Sequence, residues 1–350
     1  MGLMGSPLVC ICIPSFNADK TIAETLGSLR KQTYPNIEIH VFDNASTDAT
    51  VECVKKVGDK RIHIHCADGA GGDAESNFTR CLNLGRGDYT AIFHADDLYD
   101  PTIIEKEVLF LEKNKDTCGV LTCATQIDDK GRLGKTYLVP AQLNIQAGSS
   151  LTFDAVSLFK AVLEFDNFLF CPSAMIRTSV CVEEIKVWKG GEFRSSADLD
   201  VWLRLAAYNH IALINEPLLL YRVSESQWTA TYRKQRTTSA DIFLVLDYWL
   251  KKNEIKQSME KVDLINYQKL LRHDALGCML NAMRDGEIEL AMNIWKNVNS
   301  FAVVAEFFQM RTIRDMKFFI LSTALKLMLL PVIGKALRFM LLGQLGKVRL

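Results

Sequence analysis

The sequence lacks the patterns that mark several common protein classes. Its ten cysteines include no Cys-x-x-Cys pair and no framework spacing, so neither a structural zinc site nor a disulfide-stapled scaffold is indicated. Lysine plus arginine and aspartate plus glutamate both total 41, which leaves no global basic excess of the kind found in nucleic-acid-binding proteins. We therefore expect free, mostly buried thiols in a reducing cytoplasm, and no nucleic-acid partner.

Signatures of several enzyme classes and of secretion are also missing. The glycines at 69, 71 and 72 do not complete Gly-x-Gly-x-x-Gly in the first strand-to-helix turn, which argues against a dinucleotide oxidoreductase. Neither Gly-x-Ser-x-Gly nor a Walker-type motif occurs. The first residues lack the basic segment, long apolar run and cleavage site of a secretory signal, so we expect mature protein from the start.

What the chain does contain is an alternation of apolar strands and amphipathic helices. With 350 residues and 49% hydrophobic side chains, it can bury a substantial core in one large domain with an appendage, or in two domains. Strands at 8–13, 37–41, 61–66 and 88–93 alternate with helices at 18–32, 49–57 and 74–85. This spacing predicts an α/β fold with a mostly parallel, nucleotide-binding sheet and helices on both faces.

The C-terminal part differs in pattern and charge. We predict a first domain over 1–235 and a helical region over 236–350 that lacks chemistry-bearing clusters. From Arg311 onward there are eight basic residues against Asp315 alone, and the apolar run 318–330 is interrupted by Lys326. This favours an amphipathic helix on an anionic membrane surface, at the cytoplasmic face, over a spanning helix. A packed helical subdomain with a solvated basic face is the alternative.

Polar clusters follow three of the predicted strands, at 15–17, 43–48 and 96–97. Because parallel strands present their carboxyl ends at one edge, these turns are expected to meet in one crevice. Asp96 and Asp97 there are suited to Mg²⁺ or Mn²⁺, although an acidic pair can also be a solvated turn. Asp43 can accept hydrogen bonds from a base or a ribose, or can be a turn carboxylate that caps the next helix. Ser46 or Thr47 is also expected to be able to cap that helix.

Two further groups of titratable residues are candidates for catalysis or metal binding. Asp198 lies near the start of a predicted helix at 199–208, in which Asp200 and Arg204 are spaced to form an ion pair. Asp198 is therefore the better candidate for a general base. His63 and His65 alternate on a strand, but no third ligand accompanies them in the sequence, so a metal site at this pair is not favoured.

Five ordered motifs carry a family resemblance: VCICIPSFN at 9–17, DNASTD at 43–48, SNFTR at 76–80 leading to Gly87-Asp88-Tyr89, ADD at 95–97, and DLDVWLR at 198–204. Over roughly residues 7–225 the chain resembles the inverting glycosyltransferases of family 2, which have a GT-A type fold. The resemblance implies transfer of a sugar from a nucleoside diphosphate donor to an acceptor hydroxyl, with inversion at the anomeric carbon.

The resemblance also implies roles for individual residues. Those implied to bind the donor are Pro14, Ser15, Asn17, Asp43, Asn44, Arg80 and Asp96. Asp96 and Asp97 are implied to hold the metal ion, and Asp198 to deprotonate the acceptor. The chain departs from many relatives in three places: His94 and Ala197 stand where acidic residues are common, and Tyr221-Arg222 is followed by Val223-Ser224 rather than by a histidine.

Together these features predict a membrane-associated, metal-dependent hexosyltransferase that uses a UDP-sugar. A glycan or a lipid-linked saccharide would be the acceptor, in surface polysaccharide or glycolipid biosynthesis. A nucleotidyltransferase would want a glycine-rich basic loop directly after the first strand, which Pro14-Ser15-Phe16-Asn17 does not provide. A catalytically inactive assembly or binding subunit is the other alternative, and the missing histidine after Arg222 keeps it open.

Overall fold

A mixed sheet forms the centre of the protein in the computed structural model, which describes residues 6–67, 74–224 and 235–297. The strands are β1 Val9–Ser15, β2 Ile37–Asp43, β3 Ile62–Cys66, β4 Tyr89–Ile92, β5 Leu98–Tyr99, β6 Thr117–Ile127, β7 Leu133–Tyr137, β8 Ser150–Phe153, β9 Ala174–Arg177 and β10 His210–Arg222. They are ordered β3-β2-β1-β4-β9-β6-β10-β5, with β7 on β6 and β8 on β10. Strands β3, β2, β1 and β4 are mutually parallel, as are β6 and β10.

Helices connect the strands and follow the sheet. The labelled helices are α1 Ile22–Leu29, α2 Thr50–Val57, α3 Ala74–Leu82, α4 Ile103–Lys113, α5 Ala155–Phe165, α6 Thr178–Val180, α7 Gly190–Phe193 and α8 Ala197–Tyr208. Further helices span Ile242–Trp249, Asn253–Ser258, Lys261–Arg284 and Ile288–Asn297. Short 3₁₀ turns lie at Ala141–Leu143, Cys171–Ser173 and Arg194–Ser196, and a π turn lies at Cys181–Ile185.

Helices pack against both faces of the parallel strands, as the alternation of apolar residues predicts. Ile11 and Ile13 of β1 point to one face and share a fully buried cluster with Leu26 of α1. Cys12 on the same strand points to the opposite face, where it is buried with Cys81 of α3. The two faces are thus both apolar because each is covered by a helix. The predicted α/β class is confirmed, and β5, β7, β8 and β9 add antiparallel pairings to it.

The described residues divide into two compact units. The first unit contains residues up to 224 together with 241–263, and the second contains 235–240 with 264–297. The helices Ile242–Trp249 and Asn253–Ser258 therefore pack with the first unit, where the Trp249 indole donates a 3.1 Å hydrogen bond to Asp200. The helices expected as one region beyond residue 236 are instead divided between the units.

Several expectations concern segments outside the described residues. The glycine-rich stretch 68–72 and the basic segment from Arg311 to the C-terminus both lie outside them, so the predicted membrane contact stays a prediction. Within the described ranges, no helix has the length and apolarity needed to cross a bilayer. All ten cysteines carry free thiols, seven of them buried, as the scattered spacing predicts.

Candidate active site

The carboxyl ends of β1, β2 and β4 bring the three predicted polar turns to one edge of the sheet. Ser15, the last residue of β1, is paired in register with Asp43, the last residue of β2. Strand β4 lies on the other side of β1 and is also parallel to it. Asp43 and the turn that begins at His94 therefore follow strands about 10 Å apart, which is two strand spacings.

A hydrogen-bonded network joins the turns after β1 and β2. Ser46 Oγ donates to Asp43 Oδ1 at 2.6 Å and accepts from the Asn17 backbone N–H at 2.9 Å. The Asn17 side-chain oxygen in turn accepts from the Thr47 backbone N–H at 2.9 Å. Asn17 adopts a φ of 49°, a left-handed conformation that asparagine tolerates better than most residues. Asn17 and Asp43 are thus linked through Ser46, and their hydrogen bonds hold the turns after β1 and β2 together.

The predicted cap of α2 is wrong. The helix begins after Ala49, and no side chain caps it at that residue. Ser46 and Thr47, the expected caps, bond instead to Asp43 and Asn17. Asp48 accepts the Thr50 backbone N–H at 2.9 Å. Ser46 and Thr47 therefore do not cap α2, because they form hydrogen bonds with the turn after β1 instead.

The other predicted donor-binding residues lie close to this network. Asn44 is buried, and its backbone N–H donates to the Ser15 carbonyl at 2.9 Å. Pro14 precedes Ser15 at the end of β1, and the buried Ser15 Oγ has no hydrogen-bond partner among the described residues. A buried hydroxyl without a partner is costly unless a ligand completes it, so Ser15 is suited to contact a bound molecule.

Arg80 on α3 fastens the ends of β2 and β3. Its guanidinium donates to the His65 carbonyl at 2.9 Å and to the Asp43 carbonyl at 3.5 Å. The same group lies 5.3 Å from the centre of the Phe42 ring. Asn77, one turn earlier on α3, donates to the Phe42 carbonyl at 2.8 Å. Arg80 therefore positions the strand ends that carry Asp43, and its predicted contact with the donor stays a prediction.

The turn after β4 gathers three ligand-type side chains. One ligand atom from each of His94, Asp96 and Asp97 lies within 4.8 Å of the other two. Asp97 is fully buried, and its Oδ1 accepts the Arg222 backbone N–H at 2.7 Å. Its Oδ2 is buried and has no hydrogen-bond partner in the part of the chain that the structure describes. Burial, with the nearby Asp96 charge, raises the pKa of Asp97 well above its ordinary value.

His94 is the member of this cluster that sequence reasoning did not assign a role. Its Nε2 is buried and lacks a hydrogen-bond partner within residues 6–67, 74–224 and 235–297. Phe78 contacts the ring edge-on with centroids 5.7 Å apart. Burial lowers the pKa of His94, so the ring is neutral and can offer a lone pair. The signal in the sequence was the His-x-Asp-Asp order directly after a buried strand.

These three side chains fit a divalent cation. Asp97 and His94 each have a buried ligand-type atom without a partner among the described residues, and Asp96 offers a further carboxylate in the same cluster. Two carboxylates suit Mg²⁺ and Mn²⁺ alike, whereas an imidazole nitrogen is a ligand that transition metals accept more readily than Mg²⁺ does. The set therefore favours Mn²⁺ over Mg²⁺.

Arg222, at the end of β10, holds the acidic turn in place. Besides its backbone bond to Asp97, its Nε donates to the Asp96 carbonyl at 2.7 Å. One terminal nitrogen donates to the Asp128 carbonyl at 3.2 Å and the other to Glu24 at 2.6 Å. The residue is buried, so this one side chain ties α1, the turn after β4 and the loop after β6 together. The Tyr-Arg pair was visible in the sequence, but its partners were not.

Asp198 lies in the first turn of α8, which begins at Ala197. Burial raises the pKa of Asp198 to about 6, against backbone hydrogen bonds at Leu199 and Asp198 that lower it. Burial also raises the pKa of the Cys171 thiol well above its usual value, and the charges of Asp198 and Asp97 raise it further. The 3₁₀ turn at Cys171–Ser173 thus lies within electrostatic reach of both carboxylates.

Asp200, two residues later, has a structural role, as its spacing to Arg204 predicts. It is fully buried, and its Oδ2 accepts from Arg204 Nε at 2.7 Å. Its Oδ1 accepts from the Trp249 indole at 3.1 Å, so both oxygens are engaged. Arg204 also donates to the Ile185 and Val187 carbonyls at 2.7 and 2.8 Å. This ion pair fixes α8 and so the position of Asp198.

Comparison with known proteins agrees with this geometry. Residues 10–168 match the model of the family described as glycosyl transferase family 2. An uncharacterized glycosyltransferase of Haemophilus influenzae is 28% identical over 242 residues, which are 67% of this chain and 71% of that protein. The Escherichia coli UDP-Glc:alpha-D-GlcNAc-diphosphoundecaprenol beta-1,3-glucosyltransferase WfaP is 35% identical over 113 residues, covering 31% of this chain and 43% of that one.

A solved structure shares the fold. The Staphylococcus aureus TarS fragment 1–349, crystallised with UDP-GlcNAc, superposes with a TM-score of 0.53 at 14% identity. The superposition covers 86% of this chain and 91% of that one. The GT-A type architecture predicted from the sequence is confirmed, and the match over residues 10–168 supports the resemblance to family 2 glycosyltransferases.

Proposed function

We propose that this family 2 glycosyltransferase domain transfers a sugar from a UDP-sugar to an acceptor hydroxyl, with inversion at the anomeric carbon. The observation that carries the proposal is the turn after β4, where His94, Asp96 and Asp97 offer ligand atoms within 4.8 Å of one another. Such a cluster, at the carboxyl edge of a parallel sheet, is suited to a diphosphate with its counter-ion. A structural acidic pair would instead be solvated or fully paired.

The donor would lie along the carboxyl edge. Asp43, Asn44 and Asn17 would hold the base and ribose, with Pro14 and Ser15 lining the pocket. A divalent cation held by His94, Asp96 and Asp97 would neutralise charge that develops on the departing diphosphate. Arg222 would act as a positioning residue, because it bonds to Asp97 and to the Asp96 carbonyl.

Asp198 would remove the proton of the acceptor hydroxyl as that oxygen attacks the anomeric carbon. The bond from the sugar to the diphosphate breaks in the same displacement, so no covalent enzyme intermediate is required. A carboxyl whose pKa is raised by burial to about 6 is ionised at neutral pH and is a stronger base than an exposed aspartate. Proton transfer by such a group contributes about 10²- to 10⁴-fold to a rate.

For the substrates, the proposal follows the printed name of a relative. WfaP is named for a UDP-Glc donor and a lipid-linked diphosphate acceptor. We infer that this chain likewise takes a UDP-hexose and a glycan or lipid-linked acceptor in polysaccharide or glycolipid biosynthesis. The basic, apolar segment from Arg311 onward would hold the domain at an anionic membrane surface, near such an acceptor.

Nucleotide binding tests the proposal before any acceptor is known. UDP with Mn²⁺ should raise the melting temperature, since a ligand at 100 times its Kd stabilises a folded protein by about 2.7 kcal/mol. GDP should do so less. Asp43→Asn should reduce the UDP shift, whereas Asp129→Asn, at an exposed acid outside the site, should leave it unchanged.

Activity with a panel of donors completes the test. Release of UDP from a UDP-hexose in the presence of Mn²⁺, with omission of the metal as a control, is the expected result. Binding of UDP without turnover of any donor, with lipid-linked and free glycan acceptors both present, would favour the inactive assembly subunit. Failure of every nucleoside diphosphate to bind would exclude the transferase altogether.

A further inference from the structure

A second group of metal-ligating side chains lies on the flat of the sheet, apart from the carboxyl edge. Cys10 on β1 is paired in register with Glu38 on β2, and His40 is paired with His63 on β3. His65 is paired with Phe42, two residues after His40. Side chains of paired residues in parallel strands leave the same face, so all five ligand-type residues project from one surface. The members of this cluster are Cys10, Glu38, His40, His63 and His65.

Three of them are close enough to share an ion. One ligand atom each from Cys10, Glu38 and His40 lies within 4.8 Å of the other two. His40 Nε2 and Glu38 Oε2 are 3.2 Å apart. Two atoms that each lie about 2.0 to 2.1 Å from a tetrahedral Zn²⁺ are about 3.3 Å apart. The imidazole and the carboxylate therefore already stand at the separation that a common ion requires.

The second nitrogen of the His40 ring has a partner that would fix its orientation. His40 Nδ1 and His65 Nε2 are 3.0 Å apart, and the His65 ring stacks on Phe42 with centroids 4.6 Å apart. Metal-bound histidines commonly hydrogen-bond through the nitrogen that does not face the ion, and such partners set the ring orientation. His63 stacks on His40 from the other side at 4.9 Å.

We propose that Cys10, Glu38 and His40 form a binding site for a divalent transition-metal ion, Zn²⁺ by preference, separate from the cluster at His94. Sulfur and imidazole ligands select Zn²⁺ over Mg²⁺, and three protein ligands leave the fourth position to water. On binding, the Cys10 thiol gives its proton to solvent and the thiolate coordinates the ion, so no oxidation state changes. His65 is the positioning residue.

An ion can reach this site, and one charged neighbour competes with it. Cys10 and His40 are buried, but the Glu38 side chain is 24% exposed and β3 is the edge strand of the sheet. Arg86 lies 3.3 Å from the other Glu38 oxygen, where its positive charge opposes a cation. The sequence pattern failed to find the site because its ligands come from neighbouring strands, not from the His63 and His65 repeat.

Cobalt titration of the metal-stripped full-length protein tests the site, because thiolate-bound Co²⁺ has a sulfur-to-metal absorption that oxygen and nitrogen ligands lack. We expect this band in the wild type, its loss in Cys10→Ser, and its retention in Asp97→Asn and Cys171→Ser. The last two variants separate the site from the cluster after β4. Zn²⁺ should displace the Co²⁺, and millimolar Mg²⁺ should not.

Two further variants keep the test decisive if Cys10→Ser does not fold. Glu38→Gln, at a part-exposed position, should weaken Co²⁺ binding at least about tenfold, while His210→Asn elsewhere should not change it. Arg86→Met should strengthen binding, an effect that a merely structural cluster would not produce. Absence of the band in the wild type, or its loss in Cys171→Ser instead of Cys10→Ser, overturns the proposal, as does unchanged affinity in Glu38→Gln.

Discussion

The turn after β4 and the first two turns of α8 each bury an aspartate completely, with opposite outcomes. Asp200 in α8 has a partner on each oxygen, Arg204 on one and Trp249 on the other. Asp97 after β4 has one oxygen satisfied by the Arg222 backbone and one that lacks a partner among the described residues. Since burial without a partner is costly, the incomplete one is the residue that a ligand would complete.

Within the motif at 198–204, one aspartate has a structural role and another is the candidate general base. Asp198 and Asp200 stand two residues apart in the same helix, yet among the residues that the structure describes only Asp200 forms an ion pair. Asp200 fixes the helix, and Asp198 is carried on the first turn of that helix. Substitution of Asp200 is therefore expected to lower stability without a direct effect on the chemistry. Substitution of Asp198 or Asp97 is expected to affect the chemistry and to leave stability nearly unchanged.

The largest expected effect is on turnover in Asp198→Asn. Removal of the base should lower kcat by about 10²- to 10⁴-fold, because the acceptor proton then has no group to take it. UDP affinity and the melting temperature should stay near the wild-type values. Steady-state kinetics and thermal unfolding measure both, with Asp129→Asn as the control. A kcat within twofold of wild type would show that Asp198 is not the general base.

Asp200→Asn should have its main effect on stability. The substitution removes the negative charge that pairs with the partly buried Arg204, and breaking a buried ion pair costs up to about 3 kcal/mol. Chemical denaturation should report this loss. Asp128→Asn, whose partner Arg132 is exposed, provides the control and should change stability far less, because exposed ion pairs contribute little. Equal losses in the two variants would contradict the proposed difference between buried and exposed pairs.

In contrast to Asp200→Asn, Asp97→Asn should leave the free energy of unfolding unchanged and should weaken metal binding. The amide is neutral and can still accept the Arg222 N–H, so the free energy of unfolding should not fall. Mn²⁺ affinity should fall at least about tenfold, as for other changes at metal sites. Calorimetric titration with Mn²⁺ measures the affinity. A destabilisation as large as that of Asp200→Asn would show that Asp97, like Asp200, has a structural role.

The pH profile should follow the ionisation of Asp198. The carboxylate is the active form of a general base, so kcat should rise with pH and level off above the pKa of about 6. At pH 5 only about one tenth of the group is ionised, and kcat should fall about tenfold. The measurement is kcat at saturating donor and Mn²⁺ from pH 5 to 8. A flat profile across that range, with chemistry rate-limiting, would contradict the assignment.

Glu107 on α4 is a third buried acid and lies outside both regions. It is fully buried, and neither carboxylate oxygen has a partner in the described ranges. Burial raises the pKa of Glu107 well above 4.5, so the folded state holds a proton that the unfolded chain releases as pH rises. The cost of burying its charge is thus smallest below pH 4.5 and grows progressively as pH rises above that value.

Glu107→Met should therefore stabilise the protein by about 1 kcal/mol at pH 7, since an unsatisfied polar group is replaced by an apolar one of similar size. The gain should be smaller at pH 5. Thermal unfolding of both proteins at the two pH values measures it, and kcat should not change. A gain that does not depend on pH would mean that packing, not the proton, is responsible.

Much of the site was visible in the sequence because its positions depend on local pattern. A strand that ends in Asp43, and another that leads into Asp96 and Asp97, must present them at the carboxyl edge of a parallel sheet. The ion pair of Asp200 with Arg204 follows from helical spacing alone. What local pattern could not supply were the partners that come from distant segments.

Ser46 and Thr47 illustrate the limit. Their residue types suit a helix cap, but Ser46 Oγ instead accepts the Asn17 backbone N–H, and the Thr47 hydroxyl donates to the Asn17 side chain. Trp249 likewise lies in a helix that was expected in a separate region, and it bonds to Asp200 in the first unit. In both cases a contact between segments far apart in the chain overrides a correct local preference.

The sequence by itself determined the order of strands and helices, the α/β class and the acidic residues at the strand ends, because these depend on periodicity and on neighbours in the chain. Only the tertiary structure decided that His94 joins Asp96 and Asp97, that Arg222 holds their turn, and that Cys10, Glu38 and His40 meet across β1 and β2. Register and crossover connections fix such meetings, and they bring together residues whose separation in the chain carries no information about their distance in space.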